Sequence, residues 1–235
     1  QHLPLGDLVL MDFVNTFLNA EVILRVYPML LKGIGNTVAL ATTTIVVGGI
    51  AGVLICLVRL YAPKFFRGLA IAYVDLFRAI PILVLLVIIY YALPFMGIRL
   101  NAFMATTLAL GLVFSSFTAE VFRAGIQAIP RGQTEAAAAL GLSFPVTIWK
   151  VILPQAFRIA IPPHTSNAVA IAKDTSLASV VAMPDLLKQA TDAQALTANP
   201  SPLIAAAIMY LIVLLPAVRL VSYLEERFRT DGKAA

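Results

Sequence analysis

Five consecutive residues, "KDTSL" from Lys173 to Leu177, gather a cation, a carboxylate and two hydroxyls. Lys173, or the hydroxyls of Thr175 and Ser176, has the chemistry to receive a carboxylate, and Asp174 to receive an ammonium or a basic side chain. A plainer role stands beside it, in which Asp174, Thr175 or Ser176 caps a new helical turn while Lys173 snorkels to a membrane boundary. Upstream, Ser115, Ser116, Thr118, Glu120 and Arg123 form a second polar run. There Glu120 and Arg123, three residues apart on one helix face, suit a structural ion pair better than a ligand site. Covalent chemistry finds no support. The histidines are His2 and His164, far apart, and neither the H-E-x-x-H nor the G-x-S-x-G pattern occurs. No G-x-x-x-x-G-K-[ST] phosphate loop is present either, so the chain does not cradle ATP in that manner and no cofactor is expected in it.

What must hold these residues is a membrane scaffold. Of 235 residues, 60% are hydrophobic and 12% charged. The mean hydropathy is +0.92, and soluble domains are only about 45 to 50% apolar. At about 20 apolar residues per helical span, five spans are expected, over residues 33–58, 70–95, 102–125, 147–172 and 202–222. The predicted fold class is thus all-α, a polytopic membrane protein with about five transmembrane helices. Asp12, Asn15, Asn19 and Glu21 make residues 8–24 too polar for the bilayer core, so 1–32 is assigned to an extracytoplasmic or interfacial segment, 33–225 to the transmembrane domain and 226–235 to a tail. Pro154, Pro162 and Pro163 should break the fourth span, and broken helices at membrane depth line wet cavities or lie buried in protein. Cys56, the single cysteine, excludes an intrachain disulfide and reads as packing. In "GGIAG", Gly48 and Gly52 are spaced for close helix approach.

The net charge of +5 is spread along the chain, which argues against a nucleic-acid partner and for membrane topology. With the C-terminus in the cytoplasm, Arg59, Lys64, Arg67, Arg78, Arg123, Arg131, Lys150, Arg158, Arg219, Arg227, Arg229 and Lys233 fall on the inner side, and Arg25, Lys32, Arg99, Lys173 and Lys188 outside. That bias of 12 to 5 among the 17 basic residues obeys the positive-inside rule and puts the N-terminus outside. Arg78, before Pro81, reads as an inner-boundary anchor.

Between the third and fourth spans, "IPRGQTEAAAALGLSFP" carries a breaker at Pro130, a cap at Thr134, strong helix formers from Glu135 to Leu140, and Gly141 where a helix would stop. Ser143 then caps the helix that re-enters the membrane, with Pro145 in its first turn. A short helix near 132–142 is expected here, on the cytoplasmic side.

The spacing of Glu135, Ala136, Ala137, Gly141 and the terminal Val151, Ile152, Leu153, Pro154 resembles the EAA signature of membrane subunits of ABC importers, with Val151 where isoleucine is usual. "FRAIPILVLLVIIYYALP", "AEVFRAGIQAIPRGQTEAAAALG", "ILPQAFRIAIPP" and "KDTSLAS" are similar to the polar amino acid permease family, the histidine and glutamine type, over roughly residues 30 to 225. The resemblance implies that the short helix is a coupling helix, with Glu135 and Gly141 at the contact with a cytoplasmic ATPase. It also implies that Lys173, Asp174, Thr175 and Ser176 border the path of a polar amino acid. By the same resemblance two ATP-binding subunits hold ATP and Mg, a second permease subunit, identical or paralogous, completes the pathway, and an extracytoplasmic solute-binding protein delivers the substrate, all at a bacterial inner membrane. A subunit of an ion-gradient-driven transporter or channel is the alternative.

Overall fold

The computed structural model describes residues 13–230, so Asp12 and the ends of the N-terminal segment and of the tail, 1–12 and 231–235, lie outside the described residues. Helix α1 spans Ala20–Tyr61, its first turn capped by Asn19, whose side chain accepts from the Val22 amide at 3.1 Å. It begins well before the expected span, because hydropathy marks what enters lipid whereas the helix continues through Glu21, Arg25 and Lys32. At 1.5 Å per residue its 42 residues reach about 63 Å, twice the roughly 30 Å hydrocarbon thickness.

The second expected span is two helices, α2 (Lys64–Ala79) and α3 (Ile82–Met96), bent by 104°. Pro81 supplies the cause: it has no N–H to donate into α2 and pushes Ile80 to an extended ψ of 132°. The Arg78 guanidinium lies 5.6 Å from the centre of the Phe117 ring, about 15 Å from the Gln127 end of the next helix at 1.5 Å per residue.

That helix, α4 (Ala102–Gln127), is the centre of the molecule, capped by Asn101, which accepts from the Met104 amide at 2.8 Å. It packs along α1, where Gly48 and Gly52 permit the approach: a Cβ on Gly52 would stand 2.6 Å from the Ser115 carbonyl oxygen, and one on Gly48 3.0 Å from that of Gly111. Cys56 is buried in the same seam with Val74, Ala119 and Phe122, as packing requires.

A short α5 (Arg131–Ala139) follows, then α6 (Phe144–Val181). The prolines do not interrupt α6 as expected, since an α-helical stretch runs from Leu153 to Asp174 through both Pro162 and Pro163. The irregular backbone sits at its two ends instead. A π-helical turn at Ile148–Ile152 absorbs the missing amide of Pro154, and a 3₁₀ stretch covers Thr175–Val181. Next come α7 (Leu186–Thr197) and α8 (Ser201–Thr230). Among the described residues four helices are long and apolar enough to cross a membrane, five with the bent pair counted as one. The all-α, polytopic class with about five spans is what the structure has. The topology puts α5 at one end of the bundle and α7 at the other.

At the α7 end Leu186, Ala190 and Ala193 pack on Val26 and Leu30 of α1 and on Ala205 and Ala206 of α8. Asp185 caps α7, accepting from the Lys188 amide at 2.9 Å, and is fully buried. Burial pushes its carboxyl up to about 6, against the pull of the Lys188 and Leu187 amides and the Tyr210 hydroxyl. Because the folded value exceeds the ordinary 3.8, the neutral form is the stable one: its contribution is complete below about pH 3.8 and is lost as pH rises to about 6. Asp185→Asn keeps the cap and removes the charge. We expect the melting temperature of the wild type to fall between pH 4 and 6.5, by the equivalent of about 2 to 3 kcal/mol, and that of Asp185→Asn to stay level; parallel pH profiles would refute this origin.

Candidate functional site

Two groups of residues stand out, one at each end of the bundle. At the first, α5 begins at Arg131 behind Pro130, so Thr134 lies inside the helix and is not its cap: the extended ψ of 138° at Pro130 starts the helix a turn earlier. The stop is where the sequence puts it. Gly141 adopts φ +72°, the Gly141 amide donates to Ala138 and the Leu142 amide to Ala137, at 2.9 and 3.1 Å, which closes the helix with a Schellman turn. Ser143 is the cap of α6 by position, without a side-chain bond to the first turn, while its carbonyl accepts from both the amide and the hydroxyl of Thr147.

Within α5, Ala137 is buried whereas Glu135, Ala136 and Gly141 are exposed. Ala137 anchors the helix on the start of α6, helped by the Gln155 amide, which donates to the Gln133 side chain at 3.3 Å. Around the exposed residues Leu140, Phe144 and Trp149 are 80%, 63% and 73% exposed. A small-residue helix that exposes one carboxylate, Glu135, among bare apolar side chains is the composition of a protein-docking surface.

At the other end, Lys173 to Ser176 straddle the change from α to 3₁₀ winding in α6. Thr175 is fully buried, with its hydroxyl donating to the Ala172 carbonyl at 2.8 Å, and the Ser176 hydroxyl donates to that of Lys173 at 2.9 Å. Both hydroxyl protons are thus spent on backbone. Asp174 occupies the capping position of the 3₁₀ stretch but makes no side-chain capping bond, and neither Lys173 nor Asp174 forms an ion pair among the described residues. The capping role is not taken up. The turn leaves an exposed ammonium and a half-buried carboxylate on successive residues, with Ser176 contributing acceptor lone pairs. By contrast, the groove of about 380 Å³ lined by α1, α4 and Tyr73 of α2 carries no charged side chain and offers a zwitterion no counter-charge.

Between the two ends, Glu120 forms the expected ion pair with Arg123 and a second one with Arg59 of α1, at 2.6 Å. Arg59 was not picked out from the sequence. The available signal was its position at the end of the first span that faces the Glu120 end of the third. With Arg123 also donating to Gln127, the cluster ties α1 to α4 next to α5.

Known proteins place the chain. The probable glutamine ABC transporter permease protein GlnM of Bacillus subtilis (strain 168) is 34% identical over 211 residues, 89% of this chain and 98% of that protein. The arginine transport system permease protein ArtQ of the same organism is 32% identical over 190 residues, 80% and 87% of the two chains. The crystal structure of an amino acid ABC transporter with histidines superposes with a TM-score of 0.82 at 32% identity, covering 87% of this chain and 96% of that one. An inward-facing MetNI methionine ABC transporter, at 22% identity and a TM-score of 0.66, shares the fold. Residues 44–230 match the family described as the inner membrane component of binding-protein-dependent transport systems, a stretch that holds both the α5 loop and the Lys173–Ser176 turn, and the chain belongs to that family.

Proposed function

We propose that this chain is the membrane-spanning subunit of an ATP-driven importer that carries a polar amino acid into a bacterial cell. The observation that carries this reading is the exposed Glu135–Ala136 face of α5, closed by Gly141 and ringed by Leu140 and Phe144. A small-residue helix lets a partner's surface approach closely, and Glu135 offers a carboxylate to a base on it. That partner is a cytoplasmic ATPase, two copies per transporter, which holds ATP and Mg and hydrolyses the nucleotide; this chain is non-catalytic. The bias of basic residues supports an N-terminus outside and a C-terminus in the cytoplasm, in a multi-pass inner-membrane protein. The α7 end then faces the extracytoplasmic solute-binding protein. A second permease subunit completes the enclosure, since five spans are few to surround a polar solute.

In this reading Lys173 receives the substrate carboxylate and Asp174 its ammonium or a cationic side chain, with Thr175 shaping the turn from within and Ser176 accepting. Asp174→Asn should raise the KM of uptake for a cationic amino acid by about tenfold to a hundredfold, the loss expected of one charge-assisted hydrogen bond. Unchanged affinity, selectivity and rate in proteoliposomes would remove Asp174 from the site.

The test of the whole proposal is to purify the tagged chain from its native membrane with whatever it holds, and to assay ATP hydrolysis with the solute-binding protein and a panel of amino acids. An associated ATPase stimulated by one class of amino acid is the expected result. Uptake that persists with no ATPase in the preparation would overturn it in favour of a gradient-driven transporter.

A further inference from the structure

The groove between α1 and α4, about 380 Å³ in volume, has no part in the sites described above. Gly48 and Gly111, where the two helices touch, form its floor, and Val47 and Ala51 stand on its α1 wall. On α4 it extends from Phe103 to Ser115, about 18 Å at 1.5 Å per residue. Tyr73 closes the Ser115 end, its hydroxyl 2.7 Å from the Ser115 hydroxyl. No charged side chain lines it, and along its rim Val47, Met104 and Leu108 are 54%, 54% and 40% exposed. Both helices are long and apolar enough to cross a membrane, so the rim faces either lipid or another protein surface.

The dimensions choose between these two. The volume holds roughly 14 methylenes at about 27 Å³ each, slightly under the share of a water molecule in the liquid. An extended hydrocarbon chain with bonds of about 1.5 Å advances about 1.3 Å per carbon, so the length also corresponds to roughly 14 carbons. Volume over length gives a cross-section of about 21 Å², the width of one such chain. A helix with its side chains is about 10 Å across, or roughly 80 Å² in section, and does not enter. Gly111 points the same way. Glycine inside a helix is destabilising relative to alanine, yet a Cβ added at Gly111 would meet nothing within 4 Å, so nothing in this chain occupies the space left bare. At the Phe103 end, Arg99 precedes the Asn101 cap by two residues, is exposed and forms no ion pair among the described residues. A guanidinium there suits the phosphate of a lipid headgroup.

We propose that this groove holds one acyl chain of a membrane phospholipid, with its methyl end toward Tyr73 and its headgroup beside Arg99. Left empty, the groove leaves its lining without partner atoms on one side, and an ordered chain along the seam restores those contacts. Lipid tails are as apolar as the lining, so the preference for a bound chain over bulk lipid comes from packing and from the headgroup contact. The site requires that the chain span a membrane and does not depend on the importer reading.

The test takes the chain purified with whatever it holds, reconstitutes it in vesicles of phosphatidylglycerol carrying a photoactivatable diazirine on one acyl chain, and washes it in detergent to strip loosely held lipid. After irradiation, peptide mapping should find the label on Val47, Leu108 or Gly111 at least about tenfold above Leu211 and Ile212 of α8, which are 62% and 67% exposed. Gly111→Leu fills the groove and should cut that label at least about tenfold, as Ala51→Leu should from the other wall. Ala51→Leu decides alone if Gly111→Leu fails to accumulate. The control is Gly35→Leu, at an α1 glycine outside the groove whose added Cβ also meets nothing within 4 Å, and it should leave the label unchanged. Label spread evenly over the groove and α8 overturns the site, and so does undiminished label in both filled variants. An unlabelled groove in a complex whose assembled mass falls on Gly111→Leu overturns it in favour of a ridge of side chains from another protein. Absence of any ATPase from the preparation counts against the importer and leaves the label to report on the groove.

Discussion

Gly141→Glu should abolish uptake while leaving the chain folded in the membrane. Two properties of Gly141 meet at this position, and the structure separates them. Its φ of +72° is a conformation that costs a side-chain-bearing residue about 1 to 2 kcal/mol, too little to unfold a packed bundle. A Cβ there meets nothing within 4 Å in this chain, so the substitution creates no internal clash. What a glutamate does obstruct is whatever closes over the end of α5. At the centre of a packed interface such an obstruction costs about 2 to 4 kcal/mol, roughly 30-fold to a thousandfold in association. Gly141→Asn isolates the backbone part, because asparagine tolerates the left-handed region. The melting temperature should then change little in both variants. Stimulated ATP hydrolysis and uptake should disappear in Gly141→Glu and be only partly lost in Gly141→Asn. Full transport by Gly141→Glu would remove α5 from the coupling surface.

The stop at Gly141 was legible because glycine after a run of alanines is a local signal, and local signals survive whatever surrounds them. The start was less so: Thr134 is a good capping residue, but Pro130 fixed the entry first, and a turn closer to Pro130 satisfies the same amides. Proline misled in both directions in the membrane. Pro81 bends its span by 104°, whereas Pro162 and Pro163 pass inside a continuous helix. The difference is positional. Ile80 is extended ahead of Pro81, so the chain leaves the helix there, while α6 carries its irregular winding at Ile148–Ile152 and Thr175–Val181 and keeps the stretch between them helical. At the polar turn, sequence gave the ion types of Lys173 and Asp174 but could not apportion the hydroxyls, because the 3₁₀ winding that spends the protons of Thr175 and Ser176 on backbone carbonyls is set by packing around Ala178 and Val181. Arg59 escaped for a similar reason, since its bond to Glu120 joins residues 61 apart in the chain.

Gly52→Val should destroy the fold, and the reason lies in one seam. A Cβ at Gly52 stands 2.5 Å from the Thr118 Cβ and 2.6 Å from the Ser115 carbonyl oxygen. The second contact is with backbone, so no rotamer change and no Thr118→Ala second-site substitution relieves it. Helices α1 and α4 must move apart along the most closely packed seam of the bundle. Overpacking of ordinary cores costs about 1 to 3 kcal/mol, and an approach blocked by backbone exceeds that range. Gly49→Val is the control: its Cβ finds only the Phe114 ring, at 3.9 Å, so it should leave the melting temperature close to that of the wild type. Gly48→Val, 3.0 Å from the Gly111 carbonyl, should fall between them. Thermal unfolding in detergent orders the three, and equal stability of Gly49→Val and Gly52→Val would show that the seam does not hold the bundle. The partial defect at Gly48 is the informative one for function. Arg59 lies further along the same helix and reaches Glu120 across the same seam, so a small separation of α1 from α4 loosens the Arg59–Glu120–Arg123 cluster beside α5 before the bundle opens. Gly48→Val should therefore lose substrate-stimulated ATP hydrolysis at a temperature where the protein is still folded.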